Sequence, residues 1–222
     1  AAAAIDAVCG DEVSGVEYLV TDGDRVGPGD IVARVTAPTR GLLTAERTAL
    51  NFLCHLSGIA TLTRRYVDLA AGRAGIRDTR KTTPGLRALE KAAVRAGGGL
   101  NHRASLSDGI LVKDNHLAGL TIEEAVAAAR SRWPGVPLQV ECDSPDQVAR
   151  AVDAGAGLVL LDNMSPDQVA GCVRMVAGRS VLEVSGGVTL ANVADYAATG
   201  ADLISVGALT HSAPALDIGL DL

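Results

Sequence analysis

The sequence predicts an α/β protein whose larger part is an incomplete parallel α/β barrel of six or seven strands. From about Gly75 onward, short apolar runs alternate with helical patterns, which is typical of repeated strand–helix units. The runs are apolar almost throughout, as expected of parallel strands covered by helices. The repeat region is far shorter than the ~250 residues of a closed eight-stranded barrel, so a reduced barrel fits the length. An open doubly wound sheet remains the alternative, although no GxGxxG motif follows the first strand.

Six strands are predicted in this region by β-branched apolar runs. They cover residues 76–78, 110–113, 138–142, 158–161, 181–184 and 203–206. Residues 100–103 form a weaker seventh candidate. Capping residues mark the helix starts. Thr121 with Glu124 matches a capping box, and the string Ser-Pro-Asp-Gln-Val, at 144–148 and at 165–169, offers a Ser N-cap and a Pro in the first turn.

The chain before Gly75 has a different pattern. Residues 16–38 predict strands joined by tight turns, because Asp, Asn and Gly favour turn conformations and Asp22-Gly23-Asp24 and Gly29-Asp30 lie between apolar positions. Residues 42–71 predict one or two helices, with Gly58 allowing a break.

The domain organisation follows from this change of pattern. We expect residues 1–71 to be the remnant of an N-terminal domain plus a helical connector, 72–212 to be the barrel with the active site, and 213–222 to be a tail that returns to the N-terminal domain. The chain starts with four alanines and no Met, so we expect a front portion to be missing.

Composition excludes several functional classes. The chain has 222 residues, a formal charge of −6, 48% hydrophobic and 2% aromatic residues, which suits a soluble globular protein and disfavours nucleic-acid binding. No apolar run approaches the ~18 residues of a membrane span. The four cysteines are scattered without a CxxC pair, which favours reduced thiols in the cytoplasm.

Chemically active residues collect where the predicted strands end. They are Asp78-Thr79-Arg80-Lys81, Lys113-Asp114-Asn115-His116, Glu141, Asp162-Asn163, Ser185-Gly186-Gly187 and Gly207. In an α/β barrel these positions face one pocket at the carboxyl ends of the strands. The sequence therefore predicts a single active site at this end.

Charge divides the predicted pocket. One side is cationic, formed by Arg80, Lys81, His102, Arg103 and Lys113. Such a cluster in an acidic protein suits a small polyanion, because low-dielectric walls focus the field. An Arg guanidinium group can donate two parallel hydrogen bonds to the two oxygens of a carboxylate, and Lys supplies a point charge. Three further cations, Arg87, Lys91 and Arg95, are spaced along one helix and are predicted to form a solvated face.

The other side of the pocket is acidic and glycine-rich. Glu141 and Asp162 are oxygen donors suited to Mg²⁺, directly or indirectly, together with substrate phosphates. Ser185-Gly186-Gly187, ahead of a helix predicted to begin at Thr189, and Gly207 suit a phosphate.

These residues resemble a known family. The matching segments are residues 46–51, 57–61, 78–87, 97–103, 113–116, 161–163, 185–187 and 205–212. They are similar to the quinolinate phosphoribosyltransferases over residues 16–222. The resemblance implies an incomplete barrel beside an N-terminal α/β sandwich, a homodimer or larger homo-oligomer, and Mg²⁺ as cofactor. The implied reaction converts quinolinate and phosphoribosyl pyrophosphate to nicotinate mononucleotide, CO2 and pyrophosphate in NAD biosynthesis.

The resemblance also implies residue roles. Quinolinate would be bound by Thr79, Arg80, Lys81, His102, Arg103 and Lys113, with Arg47 reaching the site from the partner subunit. The phosphoribosyl group and its phosphate would be bound by Glu141, Asp162, Ser185, Gly186, Gly187, Gly207 and His211. The implied catalytic residues are Lys81, Lys113, Glu141 and Asp162, and the last two would hold the metal.

The chain departs from the family pattern at two positions. The usual Glu-Val-Glu is Gln139-Val140-Glu141, and the usual Tyr after Glu90-Lys91 is Ala92. Three other functions remain open. One is a sister phosphoribosyltransferase for another acidic ring, such as the molybdenum-operon homologues. The second is a phosphate-binding isomerase or aldolase, with Lys113 as the candidate Schiff-base lysine. The third is a non-catalytic binding subunit.

Overall fold

The N-terminal part of the protein combines a short helix, a two-stranded ribbon and a long helix. This computed structural model describes residues 2–10 and 15–222; Ala1, where the predicted first domain starts, and residues 11–14 of that domain lie outside them. The elements are α1 (Ala2–Cys9), β1 (Gly15–Tyr18), β2 (Ala33–Thr36) and α2 (Thr39–Ala70). β1 pairs antiparallel with β2, which confirms the predicted strands. The Asp24 carboxylate accepts from the Thr21 N–H at 2.8 Å and stabilises the predicted turn.

α2 is one helix of 32 residues, so the break allowed at Gly58 does not occur. A helical Gly costs only about 1 kcal/mol relative to Ala, which packing elsewhere along the helix outweighs. Gly58 instead makes room for the C-terminal tail, because a Cβ there would collide with the Pro214 carbonyl oxygen. The Leu216 N–H donates to the Cys54 carbonyl at 2.9 Å, so the tail lies along α2.

A six-stranded parallel sheet forms the centre of the protein. Its strands are β3 (Gly75–Arg77), β4 (Ile110–Val112), β5 (Leu138–Cys142), β6 (Leu158–Asp162), β7 (Val181–Ser185) and β8 (Leu203–Ser205). Their spatial order is β3-β8-β7-β6-β5-β4. All six predicted strands are confirmed to within one residue at each end. Their apolar side chains, such as Val140, Val159 and Val184, are completely buried.

The ring of strands is open between β3 and β4. The predicted seventh strand is reduced to a single parallel bridge between Leu100 and Arg77. The Leu100 N–H donates to the Ile76 carbonyl at 2.7 Å, and the Asp78 N–H donates to the Leu100 carbonyl at 3.1 Å. Within the described part of the chain no ladder joins β3 to β4, so the barrel is incomplete, as predicted.

Helices cover the sheet between its strands. They are α3 (Arg87–Ala96), α4 (Ile122–Arg132), α5 (Pro145–Asp153), α6 (Pro166–Val176), α7 (Val193–Ala197) and α8 (Ala208–His211). The capping box predicted at Thr121 and the N-cap predicted at Ser165 are confirmed, and Ser165 also forms a capping box with Gln168. Ser144 occupies the N-cap position of α5, but its side chain makes no capping hydrogen bond. Gln147 accepts instead from the N–H of Asp143, the residue before the cap, at 3.0 Å. Among the described helices, none has the length and apolar character needed to cross a membrane.

Candidate active site

The predicted site residues lie at one end of the sheet. Because all six strands are parallel, their carboxyl ends share one edge. Thr79, Arg80 and Lys81 follow β3, Lys113 follows β4, Glu141 is the penultimate residue of β5, Asp162 and Ser185 end β6 and β7, and Gly207 is two residues beyond β8.

Two arginines form the centre of the cationic group. The Nε atoms of Arg80 and Arg103 are buried, and within the described chain they have no hydrogen-bond partner. Burial lowers the pKa of Arg103, and the positive charge of Arg80 lowers it further. Buried donors without partners are costly. An anion bound between Arg80 and Arg103 would satisfy both donors and offset the repulsion.

Asp78 holds the two segments that carry these arginines. Its buried carboxylate accepts from Lys91 Nζ at 2.5 Å, from Asn101 Nδ2 at 2.6 Å and from the His102 N–H at 2.7 Å. Lys91 Nζ also donates to the His102 carbonyl at 2.8 Å. This network fixes the end of β3 against the segment before Arg103. The prediction that Lys91 belongs to a solvated face is therefore wrong.

Arg87 is half-buried and departs from the predicted solvated face, whereas Arg95 is exposed as predicted. Arg87 donates to the carbonyls of Arg80 and Ala104, at 3.3 and 3.0 Å. Arg95 donates to Asn101 Oδ1 at 2.5 Å. Loop residues supply acceptors for both side chains, but they leave only Arg87 half-buried.

A buried carboxylate in the barrel interior was missed by sequence reasoning. Glu183, in the middle of β7, is completely buried. It accepts from Arg77 Nη1 at 2.8 Å and Gln139 Nε2 at 2.7 Å, and the Ser205 hydroxyl donates to it. The signal was a charged residue inside an apolar strand, since such a residue needs a buried partner.

His102 was predicted to belong to the cationic group, but the structure does not support a positive charge on it. Burial lowers its pKa, and the positive charges of Arg77 and Arg103 lower it further against the opposing effect of Glu183. Nε2 lies 3.1 Å from Gln139 Oε1, and Nδ1 accepts from the Arg103 N–H at 2.8 Å. The ring is neutral because one nitrogen must be an unprotonated acceptor.

The cationic and acidic sides touch at one point. Lys113 Nζ lies 2.5 Å from Glu141 Oε2, so these two residues are ion-paired rather than on opposite rims. On the next strand, Asp162 Oδ2 accepts from Asn163 Nδ2 at 2.7 Å. Among the described residues no group of three or more His, Cys, Asp or Glu could hold a metal ion. Glu141 and Asp162 could bind Mg²⁺ only if other ligands, such as substrate phosphates, completed its coordination.

The glycines predicted for phosphate lie in two turns. Gly186 and Gly187 have φ of +92° and +62°, which disfavours other residues, and a Cβ on Gly186 would collide with the Asn163 side chain. The helix predicted at Thr189 is wrong, because α7 begins at Val193. Asn192 Oδ1 accepts from the Thr189 N–H at 2.7 Å and folds these residues into a turn instead.

Gly207 brings Lys81 and His211 together. A Cβ on Gly207 would lie 3.1 Å from His211 Nε2 and 3.4 Å from Lys81 Cδ. Thr210 Oγ1 donates to the Lys81 carbonyl at 2.7 Å, which fixes the loop after β3 to α8. Arg47 is not among these residues. It is exposed on α2, and its described ion pair is with Glu46 at 3.7 Å.

Comparison with known proteins shows the family of this chain. The family model "Quinolinate phosphoribosyl transferase, C-terminal domain" matches residues 59–221, and the N-terminal domain model of the same family matches residues 2–57. The chain belongs to the quinolinate phosphoribosyl transferase family. The boundary between the two matched family domains falls within α2.

Relatives and solved structures in this family cover nearly the whole chain. Nicotinate-nucleotide pyrophosphorylase [carboxylating] of Mycobacterium leprae is 51% identical over 222 residues, covering 96% of this chain and 78% of the relative. The probable enzyme of this name from Bacillus subtilis is 44% identical, covering 90% of this chain and 71% of the relative. The structure of nicotinate-nucleotide pyrophosphorylase from Ehrlichia chaffeensis superposes with a TM-score of 0.93 at 42% identity, covering 98% and 80%. The structure of NadC from Streptococcus pyogenes superposes with a TM-score of 0.90 at 43% identity, covering 96% of this chain and 76% of that one.

Proposed function

We propose that this chain is a decarboxylating quinolinate phosphoribosyltransferase. It transfers the phosphoribosyl group of phosphoribosyl pyrophosphate to quinolinate and yields nicotinate mononucleotide, CO2 and pyrophosphate, a step of NAD biosynthesis. The observation that carries the proposal is the pair of buried, unpaired Nε atoms of Arg80 and Arg103 in a chain of this family. A ring with two adjacent carboxylates supplies acceptors for both guanidinium groups.

Substrate positioning supplies much of the catalysis. Arg80 and Arg103 hold the carboxylates so that the pyridine nitrogen faces the anomeric carbon of the sugar. That nitrogen forms the new bond as the bond to pyrophosphate breaks. Orienting two bound reactants removes up to roughly 7–11 kcal/mol from a barrier.

The charged side chains stabilise the reacting groups. Positive charge grows on the ribose ring, where Glu141 and Asp162 stabilise it and bind the sugar hydroxyls, while Lys81 and Lys113 stabilise the leaving pyrophosphate. The product then has a quaternary nitrogen beside the C2 carboxylate. CO2 leaves with the C2 bond electrons on the ring carbon, which the adjacent positive nitrogen stabilises until a proton is added.

Mg²⁺, as the proposed cofactor, would be held by Glu141 and Asp162, directly or through water, and would neutralise charge on the diphosphate of the donor. Lys113 competes for Glu141 through its 2.5 Å ion pair. Because Lys113 neutralises Glu141, this carboxylate would bind a metal weakly by itself. We therefore expect the metal to arrive already bound to the substrate phosphates.

We further propose that the enzyme works in the cytoplasm as a homodimer or larger homo-oligomer. The exposed Arg47 on α2 is available to reach the site of a partner subunit. The four cysteines are all free, as suits a reducing compartment.

The experiment is detection of CO2 and nicotinate mononucleotide after the chain is mixed with quinolinate, phosphoribosyl pyrophosphate and Mg²⁺. Parallel reactions with pyridine monocarboxylates test the ring preference. Turnover of quinolinate above the monocarboxylates supports the proposal. Turnover of a monocarboxylate alone identifies a sister enzyme and contradicts it, as does no turnover with any ring.

A further inference from the structure

A chain of hydrogen bonds runs from the barrel interior to the backbone of Arg103. It starts at the Glu183 carboxylate, which is completely buried. Gln139 Nε2 lies 2.7 Å from Glu183 Oε2, and Gln139 Oε1 lies 3.1 Å from His102 Nε2. His102 Nδ1 lies 2.8 Å from the backbone nitrogen of Arg103.

The direction of every bond in this chain is set by its two ends. The Glu183 carboxylate accepts from Arg77 Nη1 at 2.8 Å and from Gln139 Nε2 at 2.7 Å. The Gln139 side chain must therefore present its NH2 group to Glu183 and its oxygen to His102. At the other end the Arg103 N–H only donates, so His102 Nδ1 must accept. His102 then has its proton on Nε2, where the Gln139 oxygen accepts it.

We propose that Gln139 is a positioning residue that fixes the Nε2–H tautomer of His102 and, through it, the place of Arg103. Gln139 suits this role because it combines a donor for Glu183 with an acceptor for His102. A carboxylate at this position would lack the donor, and an apolar side chain would lack both groups.

Loss of this positioning should weaken the binding of quinolinate and not that of phosphoribosyl pyrophosphate. Arg103 is held through its N–H by His102 and through Nη1 by the Gly109 carbonyl at 3.0 Å, which leaves Nε buried without a partner. Loss of the Gln139 acceptor frees the His102 ring and loosens the first of these two holds. This inference rests on the proposed function only in taking quinolinate as the ligand of Arg103.

The first test is spectroscopic and needs no turnover. Long-range ¹H–¹⁵N correlation on the labelled protein distinguishes the two neutral tautomers and the imidazolium form of each of the four histidines. Comparison with His102→Gln assigns the signals of His102. The Nε2–H tautomer at neutral pH is expected. The Nδ1–H tautomer or an imidazolium in the wild-type protein overturns the inference.

The second test separates the two substrates. Gln139→Met is expected to raise the KM for quinolinate about tenfold and to leave the KM for phosphoribosyl pyrophosphate nearly unchanged. Gln147→Met is the matched control, because Gln147 bonds to the Asp143 N–H outside this chain, and its kinetics should equal those of the wild type. Equal loss for both substrates, or no change, overturns the positioning role.

The two tests also separate this inference from the proposed function. An Nε2–H signal for His102 without turnover of quinolinate contradicts the proposed function and supports the inferred hydrogen-bond chain. If Gln139→Met does not fold, the wild-type spectrum still decides between the two tautomers.

Discussion

Arg103 is held at two points and keeps one buried donor unpaired within the described chain. Its backbone N–H is held by His102, its Nη1 is held by the Gly109 carbonyl, and its Nε is buried without a described partner. Burial and the nearby Arg80 both lower its pKa. Guanidinium groups nevertheless stay charged at neutral pH. A fixed, partly desolvated and repelled charge is therefore prepared for an anionic ligand before that ligand arrives.

We predict that Arg103→Ala raises the KM for quinolinate by about 10- to 100-fold, since a hydrogen bond to a charged group contributes about 1.5–3 kcal/mol. The KM for phosphoribosyl pyrophosphate should change little, because Arg103 is not among its proposed ligands. Steady-state kinetics with each substrate varied in turn measure the split. Arg132→Ala, at the exposed end of α4, is the control and should behave as the wild type. A similar loss for both substrates would show that the site is not divided in this way.

Residue types and strand-end positions were predictable from the sequence, whereas hydrogen-bond directions were not. Arg80 and Arg103 were predicted because charged residues next to strands are visible in a single sequence. Burial and the charges of Arg77 and Arg103 lower the pKa of His102. Its hydrogen-bond partner Gln139 is 37 positions away in the chain and meets it only in the folded barrel. Glu183 was hidden because its neighbours predict an ordinary apolar strand.

At the scale of elements, an exposed ion pair joins α4 to α5. Arg150 Nε and Nη2 donate to the two carboxylate oxygens of Glu123 at 2.8 and 2.7 Å. The Arg150 guanidinium lowers the pKa of Glu123 from 4.5 to about 2. Because the folded pKa is lower than the unfolded one, the pair stabilises the fold fully above about pH 4.5, and this stabilisation is lost as the pH falls toward 2.

We predict that Glu123→Gln lowers the Tm relative to the wild type above about pH 4.5 and that this difference shrinks toward zero near pH 2. Thermal unfolding at closely spaced pH values measures it. Arg150→Met should give the same profile, and the double variant should add little to either single change. A Tm difference that is independent of pH would contradict the assignment of the pair.

Strands were easier to predict than helix starts. The apolar strands are buried on both faces, so their boundaries follow burial, which composition reveals. The start of α7 is decided by Asn192, whose side chain bonds to Thr189 and Gly187 and keeps them out of the helix. Asn, Ser and Thr compete with a helix by bonding to nearby backbone, and a sequence does not show which side chain prevails.

At the scale of the whole molecule, Gly58 is where the end of the chain meets its first third. A Cβ at this position would collide with the Pro214 carbonyl. Gly171, in the interior of α6, is a matched case without crowding, since the nearest atom to its Cβ would be Arg174 Nη2 at 4.0 Å. Replacement of glycine by alanine should therefore change the free energy of unfolding in opposite directions at the two positions.

We predict that Gly171→Ala raises the free energy of unfolding by up to about 1 kcal/mol through helix propensity. Gly58→Ala should lower it, because overpacking costs about 1–3 kcal/mol and exceeds that gain. Chemical denaturation measures both. Deleting residues 213–222 from the Gly58→Ala variant should remove the penalty of the substitution. A stabilised Gly58→Ala variant would show that the tail does not pack closely on α2.

The gap between β3 and β4 gives the ligand a mechanical role. Arg80 follows β3 on one side of the gap. On the other side, Arg103 donates to the carbonyl of Gly109, the residue before β4. A dicarboxylate bound by both arginines would add a further link across this gap, which the Asp78–His102 and Arg103–Gly109 bonds already span without a strand ladder. Substrate binding would therefore stiffen this side of the barrel as well as fill the pocket.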